Sequence, residues 1–253
     1  MAVFPRSYAS GMAATADALL AQLAAEPARA ALFLDFDGVL APIVEHPGDA
    51  APPPETREEL ARLAARYALV AVVSGRTSDD VAARLGVDGV VCVGSHGLDL
   101  EPQAERWRRR LAAFAADAPW PPHDIELKGL AIAFHYRDRP DEREAVRELD
   151  AIAEVARDEG LMARYGRKIL EVLPPLGSNK GTAVRRLLEE RGLERALAAG
   201  DDTTDIDSFM ALDGLELAVR VAVASDEAPQ LLLDAADLVV DSTGEFLALL
   251  RKL

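Results

Sequence analysis

Short apolar runs alternate with longer stretches of helical period along this chain. Residues 31–34 (ALFL), 69–73 (LVAVV) and 90–93 (VVCV) predict buried strands ending at Asp35, Ser74 and Gly94. Between the first two, PETREELARLAARY carries Leu60, Leu63 and Tyr67 on one helical face, with Pro54 where a first turn tolerates proline. The end of the chain repeats the theme. A helix is predicted at about 180–191, followed by the run ALAAGDD, a further helix over 205–212, and apolar runs at 221–224 and 237–240. Strands that alternate with helices in this way predict an α/β fold on a doubly wound parallel sheet.

The middle of the chain has a different pattern. Residues 102–125 hold a basic cluster, Arg106 and Arg108 to Arg110, and a proline-rich PWPPH stretch. The run LAIAFHYR (130–137), taken as a strand, puts Leu130, Ile132, Phe134 and Tyr136 on one face. Ala131, Ala133, His135 and Arg137 share the other. A large apolar face opposite small and polar residues suits a sheet with a core on one side and a cavity on the other. A helix with Val146, Leu149, Ile152, Val155 and Ala156 in register follows, and then a strand at 168–172 (KILEV). Residues 102–173 are therefore predicted to be a small α/β insertion that divides the main domain into 1–101 and 174–253.

Composition narrows the function classes. The chain has 253 residues, half of them hydrophobic, enough for one large domain or two small ones. Lys plus Arg number 28 against 43 Asp plus Glu, a net charge of −15. That balance argues against a nucleic-acid binder and against attachment to an anionic membrane. No run approaches the roughly 18 apolar residues of a membrane span. The N-terminal MAVFPRSYASGMAATADALLAQLAAE is interrupted by Asp17, Gln22 and Glu26, and predicts a helix and not a signal peptide. A cytoplasmic, monomeric protein is the expectation. Cys92 is the sole cysteine, so a disulfide within the chain and a cysteine metal cluster are excluded; inside a predicted strand it reads as core packing.

Polar chemistry gathers at the predicted strand ends, where open α/β sheets bind ligands. Asp35-Phe36-Asp37-Gly38 offers two carboxylates two residues apart and a glycine for a sharp turn. Such a pair repels itself unless a cation neutralises it, and oxygen-rich sites suit Mg²⁺. A carboxylate beside that ion can attack phosphorus while its neighbour handles a proton. A plain Asp-Gly turn explains the hexamer equally well on its own. Asp201, Asp202 and Asp205 form a second acidic cluster, which alone would be an acidic first turn of a helix. Lys180 opens a predicted helix and can offset the acids, although most lysines are surface residues. Ser74-Gly75-Arg76 can offer a hydroxyl and backbone N–H groups to phosphate, or act merely as a capping turn. His96, in a glycine-flanked loop, suits a ligand contact or a strand cap.

In this order, the DxDG, Ser, Lys and GDD elements resemble the haloacid dehalogenase superfamily of phosphotransferases. The closer resemblance, over about residues 30–250, is to trehalose-6-phosphate phosphatases. It runs through LDFDGVLAPIVEHP, VVSGR, VGSHGLDLE, KGLAIAFHYR, LEVLPP…NKG and GDDTTDIDSF. The resemblance implies a Rossmann-like core with a mobile α/β cap at the place of the 102–173 insertion, and a Mg²⁺-dependent hydrolase that dephosphorylates trehalose 6-phosphate to trehalose. It implies Asp35 as nucleophile and Asp37 as acid and then base. The metal ligands would be Asp35, the Asp37 carbonyl and Asp201, with Asp202 or Asp205 in support. Ser74 and Lys180 would hold the phosphate. Lys128, His135, Arg137 and Glu171 would grip the sugar, with surface ion pairing as the plain alternative; Arg76, His96 and Asn179 are further candidate substrate contacts.

Two departures stand out. Leu173 occupies a position where that family commonly has arginine, and Ile206 one where it tends to have an acid. Neither touches the four core elements. A phosphatase of another sugar phosphate, and a catalytically silent sugar-phosphate sensor on the same fold, are the rival readings.

Overall fold

The computed structural model describes residues 17–44, 46–166, 168–225 and 228–253. In chain order its strands are β1 (Ala30–Leu34), β2 (Leu69–Val73), β3 (Val91–Val93), β4 (Ile125–Lys128), β5 (Ala131–His135), β6 (Met162–Gly166), β7 (Ile169–Leu173), β8 (Arg195–Gly200), β9 (Leu217–Val223) and β10 (Leu238–Val240). The helices are α1 (residues 17–25), α2 (Pro54–Ala64), α3 (Ser78–Leu85), α4 (Ala104–Asp117) and α5 (Glu142–Asp158). They continue with α6 (Lys180–Arg191), α7 (Thr203–Met210), α8 (Gln230–Ala235) and α9 (Thr243–Leu250). Residues 1–16 of the predicted N-terminal helix lie outside the described residues.

Six strands form a parallel sheet in the order β10-β9-β8-β1-β2-β3. β1, β2 and β8 are buried along their whole length because helices cover both faces, which is why they read as unbroken apolar runs. Leu32, Leu34, Val70 and Val72 pack on one face with Leu60 and Leu63 of α2 and Phe246 of α9. Phe33, Ala71 and Val73 pack on the other with Val184 and Leu187 of α6 and Phe209 of α7. From β1 the chain moves outward to β2 and β3, then returns to β8 on the opposite flank of β1. The crevice above the β1/β8 boundary is therefore the topological switch point.

The second sheet is antiparallel, in the order β4-β5-β7-β6. Leu130, Ile132, Phe134 and Tyr136 are all buried on the face that α4 and α5 cover, as their alternation predicts. Phe114 of α4 meets Phe134 edge-on, with ring centres 6.5 Å apart.

Several boundaries differ from the sequence expectation. β5 spans 131–135 and not 130–137. β7 starts at Ile169 because Lys168 adopts a left-handed φ of 61° and makes the turn. α7 starts at Thr203 because Asp202 caps it. In α5, Val155 is exposed, and Ala145 and Ala153 pack in its stead. Cys92 is half-buried against the main core.

Candidate active site

The ends of β1, β2 and β8 bring the polar groups together. Asp35 extends the β1 ladder by donating its N–H to the Ala199 carbonyl at 3.0 Å. Gly38 turns the chain at φ +74°, and a Cβ there would lie 1.9 Å from Asp201 Oδ2, so only glycine lets the two acidic loops approach. Asp35, Asp201 and Asp205 offer carboxylate oxygens within 4.8 Å of one another. Lys180, the first residue of α6, lies among them: its Nζ is 3.0 Å from Asp35 Oδ2 and 2.8 Å from Asp205 Oδ1.

Burial makes this cluster electrostatically tense. It pushes the Asp35 carboxyl above its ordinary range against the pull of Lys180. Burial, reinforced by Asp35 and Asp205, pushes Asp201 up to about 8. Burial and the charge of Asp35 push Asp205 up to about 6. Burial also works against the charge of Lys180, but Asp35 and Asp205 more than offset it and raise its pKa. Three carboxylates answered by one ammonium leave an anionic excess of hard oxygen donors, a set that fits a small divalent cation.

The donors are not equally available. Asp205 accepts Lys180 on one oxygen and the backbone N–H groups of Asp201 and Asp202 on the other, at 3.2 Å each. Asp202 turns outward and caps α7, accepting the Thr203 N–H at 2.6 Å. The carboxylate of Asp201 has no hydrogen-bond partner among the described residues.

Asp37 is held differently. Arg76 grips it with a two-pronged pair, Nε to Oδ2 at 2.7 Å and Nη2 to Oδ1 at 2.8 Å. Arg76 also reaches Asp80, which holds Arg84, and Arg84 donates to the carbonyls of Gly48 and Ala50. Ser74 is buried, and its Oγ accepts the N–H of Arg76 at 3.2 Å.

Above these groups a cleft of about 920 Å³ separates the two sheets. Asp37, Arg76 and His96 line its lower wall; Lys128, His135, Arg137, Arg164 and Glu171 line its upper wall. A smaller cavity of about 380 Å³ continues down to Asp35, Ser74, Lys180, Asp201 and Asp202. His96 stands where the two meet, with a left-handed φ of 53°. A Cβ on residue 75 would come within 2.7 Å of its ring, so Gly75 makes room for the imidazole. Burial, then the charges of Lys180 and Arg164, lower its pKa to about 4. A two-chamber site with buried acids below and hydroxyl-compatible polar groups above suits a phosphate ester whose alcohol part is large and polar.

A family model described as trehalose-phosphatase matches residues 33–231. The chain belongs to the trehalose-phosphatase family. It is 32% identical over 249 residues to the trehalose-phosphate phosphatase of Mycobacterium marinum, covering 89% of this chain and 63% of that one. It spans under two thirds of the length of the curated relatives it first matches. Among solved structures, trehalose-6-phosphate phosphatase of Aspergillus fumigatus superposes with a TM-score of 0.63 at 24% identity, covering 93% of this chain and 96% of that one. A haloacid dehalogenase-like hydrolase of Bacteroides thetaiotaomicron superposes at 0.58 with 17% identity, covering 88% and 99%. The fold is that of haloacid dehalogenase-like hydrolases.

Against this trehalose-phosphatase frame, most of the sequence-predicted site residues line one continuous cavity. Asn179 does not: its side chain caps α6 by accepting the Thr182 N–H at 2.9 Å, and it lines neither chamber. Asp202 reaches the lower cavity, but its carboxylate is engaged as a helix cap. Sequence reasoning missed Glu126 and Arg164. Glu126 accepts both His135 at 2.9 Å and Lys128 at 3.2 Å. The alternation Ile125-Glu126-Leu127-Lys128 was the signal that could have found it. Arg164 gives no such signal, because its place depends on strand register.

Proposed function

We propose that the chain is a Mg²⁺-dependent phosphomonoesterase that hydrolyses trehalose 6-phosphate to trehalose and phosphate. The reading rests most on one observation: the buried carboxylate of Asp35, held by Lys180 beside Asp201, in a chain of this family. Asp35 is the nucleophile. Its oxygen bonds to phosphorus, the bond from phosphorus to the sugar oxygen breaks, and an aspartyl phosphate remains. Asp37 gives a proton to the departing oxygen, then takes one from the water that releases phosphate and restores Asp35. To do this it has to let go of Arg76, whose guanidinium fork suits phosphate oxygens as well as a carboxylate. Ser74 and Lys180 complete the phosphate cradle.

Asp35, the carbonyl of Asp37 and Asp201 would hold Mg²⁺, with Asp205 or Asp202 in support. The bound cation supplies charge neutralisation where nucleophile and phosphate meet. Lys128, His135, Arg137 and Glu171 take the sugar, facing His96 across the cleft. Residues 102–173 serve as the cap over a core formed by 1–101 and 174–253. The anionic substrate is drawn by local positive groups, which outweigh a net charge of −15. Cytoplasmic location and a monomeric state belong to the same reading and rest on the sequence.

A phosphate-release screen over sugar phosphates, with and without Mg²⁺, tests the proposal. Trehalose 6-phosphate is expected to exceed glucose 6-phosphate by at least ~10-fold in kcat/KM, about 1.4 kcal/mol in transition-state binding. A ratio near one points to a phosphatase of another sugar phosphate. No release from any member points to a silent sensor.

A further inference from the structure

Register places one row of side chains straight across the cap sheet. Glu126 of β4 pairs with Ala133 of β5, Ala133 with Glu171 of β7, and Glu171 with Arg164 of β6. Residues in one register row share a face, and Glu126, Glu171 and Arg164 all line the cleft. Ala133, which stands between the two carboxylates in this row, is fully buried and adds no bulk to the cleft. Glu126 is answered by Lys128 and His135. Glu171 is answered by Arg164, whose Nε donates to its Oε2 at 2.8 Å. Leu173, two residues further along β7 and also lining the cleft, brings no charge. The cation beside Glu171 therefore comes from the neighbouring strand.

A purely structural role fits this pair poorly. The Arg164 side chain is 60% exposed on an edge strand, and ion pairs so exposed add little to stability. Its fork still has capacity: Nε is engaged, and among the described residues neither terminal nitrogen has a partner. Glu171 is more sheltered, at 21% exposure. The pair is also close enough to His96 on the opposite wall for both charges to act on that imidazole. Arg164 and His96 line the same upper chamber, whereas Asp35 and Asp201 line the lower one.

Resting on the sugar-phosphate reading above, we infer that Arg164 is a specificity-determining residue. Through Nε it fixes the Glu171 carboxylate at the wall of the cleft, and through its terminal nitrogens it donates to the hydroxyl-bearing part of the substrate remote from phosphorus. A planar fork can do both at once, whereas an ammonium cannot reproduce the two directions.

The test compares Arg164→Ala and Arg164→Lys with the wild-type protein on two substrates with Mg²⁺. One is the sugar phosphate that the wild type turns over best in the screen, and the other is a small aryl phosphate. A mistaken choice of trehalose 6-phosphate is thus exposed by the wild-type panel and not by the variants. Arg164→Ala should lower kcat/KM for the sugar phosphate by about 10- to 100-fold, the scale of one or two hydrogen bonds to a charged group. The aryl phosphate rate and the Tm should stay near wild type, and Arg164→Lys should recover little. In a double-mutant cycle with Glu171→Gln, the losses should fall short of additive. Calorimetric Kd for the same sugar phosphate in chelator, where release stops, should weaken in Arg164→Ala relative to the wild type. Equal losses on both substrates, no loss on the sugar phosphate, or full rescue by lysine would overturn the inference.

Discussion

Lys180 and Asp205 meet at 2.8 Å with each side chain only 2% exposed, and the same ammonium lies 3.0 Å from Asp35. Breaking a buried ion pair by removing one partner leaves an uncompensated charge. Lys180→Met keeps the length of the side chain but strands two carboxylates. We predict a loss of about 3–5 kcal/mol in chemical denaturation near neutral pH, together with near-complete loss of phosphate release. Adding Asp205→Asn to that variant should restore part of the stability, because one stranded charge is removed. A Lys180→Met protein as stable as the wild type would contradict the arrangement.

The acid cluster links metal to pH. Asp201 is pushed from the ordinary 3.8 to about 8, and Asp205 from 3.8 to about 6. Between those limits the folded, metal-free protein retains protons that the unfolded chain has released. The stabilisation is therefore complete below about pH 4 and fades as pH rises through 6 and then 8. A bound cation must displace those protons, so its affinity should rise over the same window. Thermal unfolding across this range should show Tm of the chelator-treated protein falling as pH rises, and the gain from added Mg²⁺ growing. A Mg²⁺ gain independent of pH would mean that the cation does not bind at these carboxylates.

The main sheet was readable because its central strands are buried on both sides, so continuous apolar runs such as ALFL and LVAVV have no other stable use. The strand ends were readable for the same reason, since Asp35, Ser74 and Asp201 follow directly on those runs. Several things were hidden, the exposed edge strand β6 among them. β4 follows a proline-rich stretch and is only four residues long. The helix period of α5 pointed to Val155, yet the buried stripe runs through Ala145 and Ala153, which carry little hydrophobic signal. Pairs between separate elements, such as Asp37 with Arg76 and Glu171 with Arg164, depend on loop placement and register, which no local pattern encodes. Asn179 is the opposite case, because its N-cap pairing with Thr182 three residues on is a local pattern.

Arg137, just beyond β5 of the antiparallel sheet, lines the cleft and is exposed. Binding energy from parts of a substrate remote from the reacting centre can be used to orient that centre. Arg137→Ala should therefore reduce kcat/KM for trehalose 6-phosphate by about 10-fold or more while leaving an aryl phosphate within a few-fold. Tm should hardly change. Parallel losses on both substrates would assign Arg137 to the architecture of the cap.

Metal removal offers a separate check. EDTA should abolish phosphate release and Mg²⁺ restore it. Ca²⁺ should raise the Tm yet support turnover poorly, because its larger and looser coordination misplaces the attacking oxygen. Undiminished turnover in chelator would rule out a metal at Asp35 and Asp201.

The central claim is that Asp35 attacks phosphorus in a sugar phosphate. Asp35→Asn keeps the side chain's shape but removes its charge, and phosphate-monoester hydrolysis needs up to ~10²¹-fold acceleration, so little turnover can survive. The most direct measurement is phosphate release from trehalose 6-phosphate with Mg²⁺ by wild type and Asp35→Asn, with Tm recorded for both. The account predicts rapid release by the wild type and release below about a hundredth of that rate by a folded Asp35→Asn protein. A folded variant retaining more than about a tenth of wild-type turnover, a barrier change under roughly 1.4 kcal/mol, would contradict it.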